Sequence, residues 1–320
     1  MSFPRLLADI GGTNTRFAMQ SKAGGAIEQL WVTPSDRHAS LLDAIRAYLA
    51  LHKLPAPRAG AIGIANPITG DQVTMTNHDW SFSVSQLKAA LGLERLLVLN
   101  DFAALALALP RLTPDDLRQV GEGSPAAQAP LAVIGPGTGL GMAGLLPQAN
   151  GRFVAVGGEG GHGSLAASDE FEDRIVARLR TRFGHASAER ALSGPGLENL
   201  HEACAALAGE SAPLLAAPEI TRRALAGEDP RCREAVDLFF SFLGGEAGNL
   251  ALTLGARSGV YISGGVTPRL LPLIDASPFR RRFESKGRFA SYLAPIPTWV
   301  IDAEFSPGLI GAAMALDQPD

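Results

Sequence analysis

Short apolar runs alternate along this chain with stretches in which apolar residues recur at helical spacing. Three runs near the N-terminus, at residues 5–10, 59–64 and 96–99, predict buried central strands of the kind found in parallel sheets. Between them, residues 41–49 place leucine, isoleucine and tyrosine on one face of a helix. Strands that alternate with helices in this way are typical of α/β proteins. The pattern therefore predicts an α/β fold.

The same order of elements begins again in the middle of the chain. Residues 102–109 are apolar throughout and predict a buried helix, after which residues 131–134 predict a new central strand. We interpret this restart as an internal duplication that produces two domains. The expected limits are 1–110 for a small α/β domain, completed by 304–320, and 111–303 for a large α/β domain.

Two helices are predicted in the second half. Ser168 is the expected N-cap of one, because acidic residues crowd the turn that follows it and arginines crowd the last turn. Residues 236–254 predict a long buried helix. Its glycines predict the close approach of a neighbouring element, and they are Gly244, Gly245 and Gly248.

The composition of the chain argues against several classes of partner. Charged residues make up 19% of the 320 residues and the net charge is −4, so we expect neither nucleic acid nor an acidic membrane as partner. The arginine run 280–282 is interpreted as a solvated surface feature. Cys204 and Cys232 are the two cysteines, and neither has the spacing of a metal motif, which favours a reducing cytoplasm without structural zinc. No apolar run reaches the roughly 20 residues of a membrane span.

Two glycine–threonine loops, 9–16 and 135–141, each follow a predicted strand. Glycine lets the backbone approach an anion closely, while threonine hydroxyls and backbone N–H groups donate to phosphate oxygens. Either loop alone could equally close an ordinary hairpin. As a pair, one near the start of each half, they favour a duplicated nucleotide-binding fold. Asp9 stands beside the first loop, where its carboxylate could bind Mg²⁺ directly or through water.

Candidate catalytic side chains follow the strand predicted at 96–99. Asn100 and Asp101 would lie at the carboxyl end of that strand, where open α/β sheets bind ligands. Asp101 could accept the proton of an attacking hydroxyl. The alternative is that Asp101 is only the N-cap of the next helix.

Further polar side chains come from two later segments. Glu159 and His162 are separated by two glycines, which argues against a helical metal site and favours a loop that presents both to a polar substrate. A solvated glycine turn is the alternative. Glu189 could add one more carboxylate, or could form an exposed helix pair with Arg190. Such a set suits a neutral ligand covered in hydroxyl groups, because carboxylates accept hydrogen bonds in pairs.

The chain resembles bacterial glucokinases of the non-repressor type, which belong to the sugar kinases that share their ATPase fold with actin. The resemblance extends from the first loop to near the C-terminus. It rests on these segments: Asp9-Ile10-Gly11-Gly12-Thr13-Asn14, Pro67-Ile68-Thr69-Gly70-Asp71, Met75-Thr76-Asn77-His78, Asn100-Asp101-Phe102, Gly137-Thr138-Gly139-Leu140-Gly141, Gly158-Glu159-Gly160-Gly161-His162, Ser187-Ala188-Glu189-Arg190, Leu192-Ser193-Gly194-Pro195-Gly196 and Gly264-Gly265.

This resemblance implies a duplicated two-domain actin-like ATPase (ribonuclease H-like) fold with a cleft between the domains. It implies ATP-dependent phosphorylation of glucose at the 6-hydroxyl, the first step of glycolysis, in a cytoplasmic homodimer that requires Mg²⁺. Asp101 would be the catalytic base, and the implied glucose contacts are Asn100, Asp101, Glu159, His162 and Glu189. The implied ATP site consists of Asp9, Gly11, Gly12, Thr13, Asn14, Gly137, Thr138, Gly139, Gly264 and Gly265.

Three features qualify the resemblance. Pro136 lies inside the second loop and has no N–H to donate to phosphate. Asn66 precedes the Pro67 segment, where other small residues are usual in the family. The cysteine-rich zinc motif of repressor-type sugar kinases is missing from the sequence, which argues against that subgroup.

Other functions stay open as alternatives. The enzyme could phosphorylate another hexose, or the chain could be an actin-like ATPase without a sugar acceptor. A sugar-responsive regulator is disfavoured, because the first predicted strand begins at about residue 5 and leaves no room for a DNA-binding module.

Overall fold

A computed structural model describes residues 2–76, 78–211 and 214–318, so Asn77 of the segment Met75–His78 lies outside the described residues. The chain divides into two compact units. The first consists of the residues up to Thr113, Leu145–Gly157 and the residues from Ala303 onward, and the second of Pro114–Gly144 and Gly158–Asp302. The expected domain limits, 1–110 with 304–320 and 111–303, stay a prediction beside this division.

The chain forms strands and helices in alternation, as the hydrophobic pattern predicts. The strands are β1 Arg5–Ile10, β2 Asn14–Gln20, β3 Ile27–Pro34, β4 Ala59–Ile64, β5 Gln72–Thr74, β6 Ser81–Ser83, β7 Arg95–Asn100, β8 Leu117–Val120, β9 Leu131–Pro136, β10 Leu140–Pro147, β11 Phe153–Gly158, β12 Gly259–Ile262 and β13 Thr298–Ile301. The α-helices are α1 Leu41–Leu51, α2 Val84–Ala90, α3 Asp101–Ala108, α4 Glu170–Phe183, α5 Gly194–Leu207, α6 Ala217–Ala226, α7 Pro230–Leu254, α8 Leu271–Ile274, α9 Phe279–Glu284, α10 Ala290–Leu293 and α11 Pro307–Asp317.

The first unit is built on a five-stranded sheet with the order β3-β2-β1-β4-β7. Strands β1, β4 and β7 run parallel, while β2 and β3 are antiparallel additions at one edge. The three strands predicted near the N-terminus are therefore confirmed as parallel neighbours in one sheet. The prediction of a buried central strand is wrong for the third of them, because β7 lies at the edge of the sheet and its residues are only partly buried. Apolar side chains of β1, β4 and α1 form one core cluster, and α11 buries its leucines against another set of residues from β1 and β4.

The six-stranded sheet repeats this arrangement. Its order is β11-β10-β9-β12-β13-β8, in which β9, β12 and β13 run parallel and β8 pairs antiparallel with β13. In each sheet, the first strand of the repeat has its hairpin partner on one side and two later parallel strands on the other. The duplication predicted from the restart at residues 131–134 is therefore visible as a shared strand order.

Small residues determine how the helices pack. A methyl group built on Gly311 of α11 would lie 1.7 Å from the carbonyl oxygen of Ala104 in α3. On α7, methyl groups on Gly244 and Gly248 would lie 2.2 Å from Phe279 O and 2.6 Å from Phe283 O. The close neighbour predicted for the glycines of α7 is confirmed, and it is α9. At Gly245 the nearest atom would be 3.8 Å away, which is an ordinary contact.

The prediction of a solvated arginine run at 280–282 is wrong for two of its three members. Arg280 donates to the carbonyl oxygens of Ala294 and Ile296, and its side chain is only 15% exposed. Arg282 donates to the buried carboxylate of Glu172 at 3.0 Å. Sequence alone could not reveal this, because the partners come from distant segments.

The prediction that Ser168 caps the following helix is also wrong. Asp169 is the N-cap of α4, and its carboxylate accepts the N–H of Glu172 at 2.8 Å. The backbone N–H and the hydroxyl of Ser168 both donate to the Glu172 carboxylate, at 2.9 and 3.0 Å. Asp169 thus caps the backbone N–H of Glu172, and the Glu172 side chain reaches back to Ser168, the residue before the N-cap. This arrangement resembles a capping box.

Among the helices of the described ranges, none combines the length and the apolar character that crossing a membrane requires. Both cysteines are buried and free. Burial raises the pKa of Cys204 to about 12 and that of Cys232 to about 11, so both thiols are protonated at neutral pH.

Candidate active site

The first glycine loop is the turn between β1 and β2, and its own backbone bonds hold it. The N–H of Gly11 donates to Asn14 O at 3.0 Å. Ser35 contributes twice, since its hydroxyl donates to Gly11 O and its N–H donates to Thr13 O, both at 3.0 Å. These bonds use the Gly11 N–H and three carbonyl oxygens of the loop, while Thr13 and Asn14 remain exposed. The turn therefore presents donor groups in a fixed backbone conformation.

Asp9 lies at the end of β1 and is held by residues distant in sequence. The hydroxyl of Ser306 donates to Asp9 Oδ2 at 2.8 Å, and Arg16 donates to the same oxygen at 3.4 Å. A methyl group built on Gly308 would lie 3.1 Å from Cγ of Asp9, so the start of α11 packs directly on the carboxylate. Ser306 occupies the N-cap position of α11, yet its side chain makes no capping bond. Its hydroxyl donates a hydrogen bond to Asp9 instead.

Asn100 and Asp101 form the junction between β7 and α3. Asn100 is the N-cap, and its Oδ1 accepts the N–H groups of Phe102 at 3.0 Å and Ala103 at 3.1 Å. The alternative in which Asp101 is the N-cap is therefore wrong, since Asp101 is the first residue of the helix. Its carboxylate lies at the positive end of the helix dipole, where a negative charge is favoured.

Strand register brings these groups to one edge of the first sheet. Ile10, Ile64 and Asn100 are aligned across the parallel strands β1, β4 and β7. The loop after β1 and the junction after β7 consequently emerge at the same carboxyl edge, which is where ligands bind in open α/β sheets.

The second glycine loop connects β9 to β10 and uses some of its own donors. The N–H of Gly137 donates to Gly139 O at 2.8 Å, and the N–H of Gly194 at the start of α5 donates to Gly137 O, also at 2.8 Å. Pro136 offers only a carbonyl oxygen, and this oxygen accepts the N–H of Val266 at 3.2 Å.

Gly264 and Gly265 follow β12 and lie against this loop. Gly264 has φ +88°, and a methyl group there would lie 2.1 Å from Pro136 O. Glycine is required at this position both by its positive φ and by the close approach. The structure therefore places Gly264 directly against the second loop, while the role of both segments in an ATP site stays a prediction.

Glu189 contacts the second loop directly. Its Oε2 accepts the N–H of Leu140 at 2.9 Å, and a methyl group on Gly139 would lie 2.4 Å from the same oxygen. Arg190 points elsewhere, with its guanidinium 4.3 Å from the centre of the Phe183 ring. The alternative of an exposed Glu189–Arg190 pair is therefore wrong.

Glu159 precedes a single turn of 3₁₀ helix, Gly160–His162, and His162 is the last residue of that turn. Their side chains are 55% and 62% exposed, and the closest approach of Oε2 and Nε2 is 3.9 Å. This turn packs on the start of β10, because methyl groups on Gly160 and Gly161 would meet Met142 Sδ at 2.8 Å and Leu140 O at 2.2 Å. An isolated bridge between Ser164 and Ser187 joins the segment to that of Glu189.

Within each unit, the structure thus groups the candidate residues. Asp9, Asn100 and Asp101 belong to the first unit, whereas Glu159, His162 and Glu189 belong to the second. Ser306 and Gly308 were missed by sequence reasoning. Serine followed by proline is a helix-start signal and could have marked the beginning of α11, but nothing in the sequence indicates the contact with Asp9.

Comparisons with known proteins identify the family. The glucokinase family profile matches residues 6–319. Glucokinase of Aromatoleum aromaticum is 55% identical over 317 residues, which cover 99% of this chain and 95% of the relative. Glucokinase of Chromobacterium violaceum is 53% identical, with 98% and 90% covered. A crystal structure of glucokinase from an Antarctic psychrotroph superposes with a TM-score of 0.89 at 38% identity and 98% coverage of both chains. The chain belongs to the glucokinase family.

Proposed function

We propose that this protein transfers the γ-phosphoryl group of ATP to the 6-hydroxyl of D-glucose. Its family membership, at 55% identity over nearly the whole length, supports ATP-dependent glucose phosphorylation as the activity. The structural observation that carries the proposal is the junction after β7. Asn100 is the N-cap of α3, and Asp101 follows it as the first residue of the helix, where its Oδ1 accepts the N–H of Phe102 at 2.9 Å and its carboxylate is held at the carboxyl edge of the sheet.

Asp101 is the proposed catalytic base. The 6-oxygen of glucose attacks the γ-phosphorus, the bond from that phosphorus to the β–γ bridging oxygen breaks, and ADP leaves. The hydroxyl proton passes to the Asp101 carboxylate. Because the transition state of phosphoryl transfer is loose, the residues act chiefly by positioning and by stabilising charge.

The proposed glucose contacts are Asn100, Glu159, His162 and Glu189 together with Asp101. Their amide, carboxylate and imidazole groups suit hydroxyl partners, and groups that the wrong stereoisomer would leave unpaired in the bound complex would provide selectivity. The Leu140 bond of Glu189 supports a positioning role for this carboxylate, since it ties the second loop to the sugar-binding segment.

The proposed ATP site uses both glycine loops and the pair Gly264–Gly265. The proposed phosphate contacts are Gly11, Gly12, Thr13 and Asn14 of the first loop and Gly137, Thr138 and Gly139 of the second loop. Because the Gly137 amide is bonded to Gly139 O and Pro136 has no N–H, we propose that Thr138 is the principal donor of the second loop.

The donor set around Asp9 fits Mg²⁺. Magnesium is usually held by one or two carboxylates with water and substrate phosphates as its other ligands, and Asp9 supplies one partly exposed carboxylate that Ser306 orients. When bound, Mg²⁺ neutralises charge on the terminal phosphates of ATP.

An ADP-release assay with Mg-ATP tests the function. Purified protein is assayed without sugar and then with glucose, mannose, fructose, N-acetylglucosamine and glycerol. We expect turnover to depend strongly on glucose. A different preferred sugar would indicate another hexose kinase, and sugar-independent hydrolysis would indicate an actin-like ATPase without an acceptor.

Replacing Ser306 with alanine should weaken the response to magnesium. The variant loses the hydroxyl bond to Asp9, so we expect the Mg²⁺ concentration for half-maximal activity to rise about 2- to 10-fold, the equivalent of one hydrogen bond. Thermal stability should change little, because Ser306 makes no capping bond. The measurement is activity against Mg²⁺ at constant ATP, with a melting curve for each variant.

Ser40→Ala is the matched control for that variant. Ser40 caps α1 by accepting the N–H of Asp43 at 3.1 Å, so its loss should cost about 1 kcal/mol of stability without changing the response to magnesium. An unchanged magnesium response in Ser306→Ala would contradict the role given to Ser306.

The homodimer, the cytoplasmic location, the place in glycolysis and the relation to the actin-like ATPases follow from the family resemblance and stay predictions. Sedimentation of the purified protein tests whether it is a homodimer.

A further inference from the structure

A second group of potential ligands lies in the second unit, on segments distant in sequence. His201 belongs to α5, Asp229 is the N-cap of α7, and Cys232 lies in the first turn of α7. One ligand atom of each, an imidazole nitrogen, a carboxylate oxygen and a thiol sulfur, lies within 4.8 Å of the others. The side chains of His201 and Cys232 are almost completely buried. The proposed sugar and ATP contacts include none of these residues.

The contacts of Asp229 leave one of its carboxylate oxygens without a capping bond. Asp229 uses one oxygen to accept the N–H groups of Arg231 and Cys232, at 2.8 and 3.4 Å. Its other oxygen lies 3.7 Å from Arg223, a long ion pair at a partly exposed position. The carboxylate is thus fixed by the helix N-terminus, with a second oxygen directed away from the capping bonds.

An approach from solvent exists on the side of His201. A cavity of about 350 Å³ lies between α4, α5 and the segment before α6, and His201 is one of its lining residues with Asn199, Glu198 and Arg182. A buried metal site needs such an entry path. A cation that reached His201 would meet a nitrogen, an oxygen and a sulfur ligand from two packed helices.

We propose that His201, Asp229 and Cys232 form a binding site for a borderline-soft divalent cation, with Zn²⁺ as the best fit. Zinc takes nitrogen, sulfur and carboxylate ligands in tetrahedral geometry, and three protein ligands leave a fourth position for water. Hard cations such as Mg²⁺ do not select a thiol. Zinc bonds of about 2.0–2.3 Å would draw the three ligand atoms to roughly 3.5 Å from one another, a movement within reach of side-chain rotation.

Binding is accompanied by loss of the Cys232 thiol proton to solvent, since a coordinating thiol is deprotonated. The ion would join α5 to α7. Because the N–H of Gly194 at the start of α5 donates to Gly137 O, the helix so fixed is the one that contacts the second glycine loop. This inference does not depend on the proposed kinase reaction, and its test needs no substrate.

The spacing of cysteine and histidine residues along the sequence does not reveal the cluster of His201, Asp229 and Cys232. His201 and Asp229 are 28 positions apart, so no compact cysteine–histidine motif is present. Only the packing of α5 on α7 brings the ligands together.

Metal titration of the full-length protein tests the site. Zinc affinity is measured by competition with a chromophoric chelator, and Co²⁺ is added separately as a spectroscopic probe. We expect one zinc per chain, a thiolate-to-cobalt charge-transfer band, and a higher melting temperature with zinc. Cys232→Ser should abolish the cobalt band and weaken zinc binding at least about 10-fold.

Two further variants keep the test decisive. Cys204→Ala removes the other buried cysteine, which lies on α5 outside the cluster, and should leave the band and the affinity unchanged. His201→Gln provides a second route if Cys232→Ser does not fold, and should lower zinc affinity to a similar extent. Absence of the cobalt band from the wild type, or zinc binding that survives both ligand substitutions, would overturn the proposal.

Discussion

Replacing Asp101 with asparagine should lower kcat for glucose phosphorylation by about 10²- to 10⁴-fold, the usual contribution of a general base. Asparagine preserves the size of the side chain but cannot accept the proton of the 6-hydroxyl at neutral pH. Asn100 still caps α3 in the variant, so the helix and the position of residue 101 should be retained. KM for glucose should change much less than kcat, because the lost interaction is needed mainly in the transition state.

Steady-state kinetics over a range of glucose concentrations separates the two parameters. Asp43→Asn is a suitable control, because Asp43 also lies in the first turn of a helix but is exposed on α1, and we expect normal turnover. Near-normal kcat in Asp101→Asn would show that another group accepts the proton.

Gly311→Ala should produce the largest loss of stability. The new methyl group would lie 1.7 Å from the carbonyl oxygen of Ala104 and 2.5 Å from its carbon, and both atoms are backbone of α3. Helices α11 and α3 must move apart to remove this clash. We therefore expect the free energy of unfolding to fall by about 3 kcal/mol. Since α3 begins at Asp101, kcat should fall too, as a displacement of about 1 Å can cost 10²-fold.

Gly245→Ala is the matched substitution for this experiment. It also places alanine in a helix, but its methyl group would have no neighbour closer than Arg282 Nη2 at 3.8 Å. Alanine is favoured over glycine in helices by up to about 1 kcal/mol, so this variant should be neutral or stabilised. Chemical denaturation of both variants gives the comparison. Equal stabilities would mean that the packing of α11 on α3 is less tight than the structure indicates.

The arrangement of strands could be predicted from sequence because it depends on local pattern. The apolar runs at 5–10, 59–64 and 96–99 correspond to β1, β4 and β7, and the glycines of α7 indicated a close neighbour. An apolar run is a signal that each segment carries by itself, but it did not show that β7 lies at the edge of the sheet, where it is only partly buried. The identity of the neighbour, α9, could not be predicted, since a glycine shows where space is needed and not which element occupies it.

Helix caps were harder to predict, because adjacent residues compete for one position. Ser168 and Asp169 are both good N-caps, as are Asn100 and Asp101, and the backbone conformation decides between them. For the second pair, Asn100 is the N-cap and Asp101 lies in the first turn, and the N–H of Phe102 is shared between their side-chain oxygens. Residue types alone do not show which of two adjacent residues is the N-cap of a helix.

The sequence supplied candidate site residues but not the residues that contact and support them. Asp9, Glu189 and Gly264 were named from loops and from family resemblance. Their contacts with Ser306, Leu140 and Pro136 join segments tens to hundreds of residues apart. Such contacts depend on tertiary packing, and one sequence contains no signal for them.

The position of α11 has a consequence for synthesis of the protein. This helix completes the core of the first unit and packs on β1, β4 and α3, yet about 190 residues separate it from Thr113. At a translation rate of about 5–20 residues per second, the ribosome needs roughly 10–40 s to cover that distance. Throughout this interval the N-terminal sheet lacks one of its covering helices, while the continuous stretch Gly158–Asp302 of the second unit is being completed. Folding of the unit that is made first therefore finishes last.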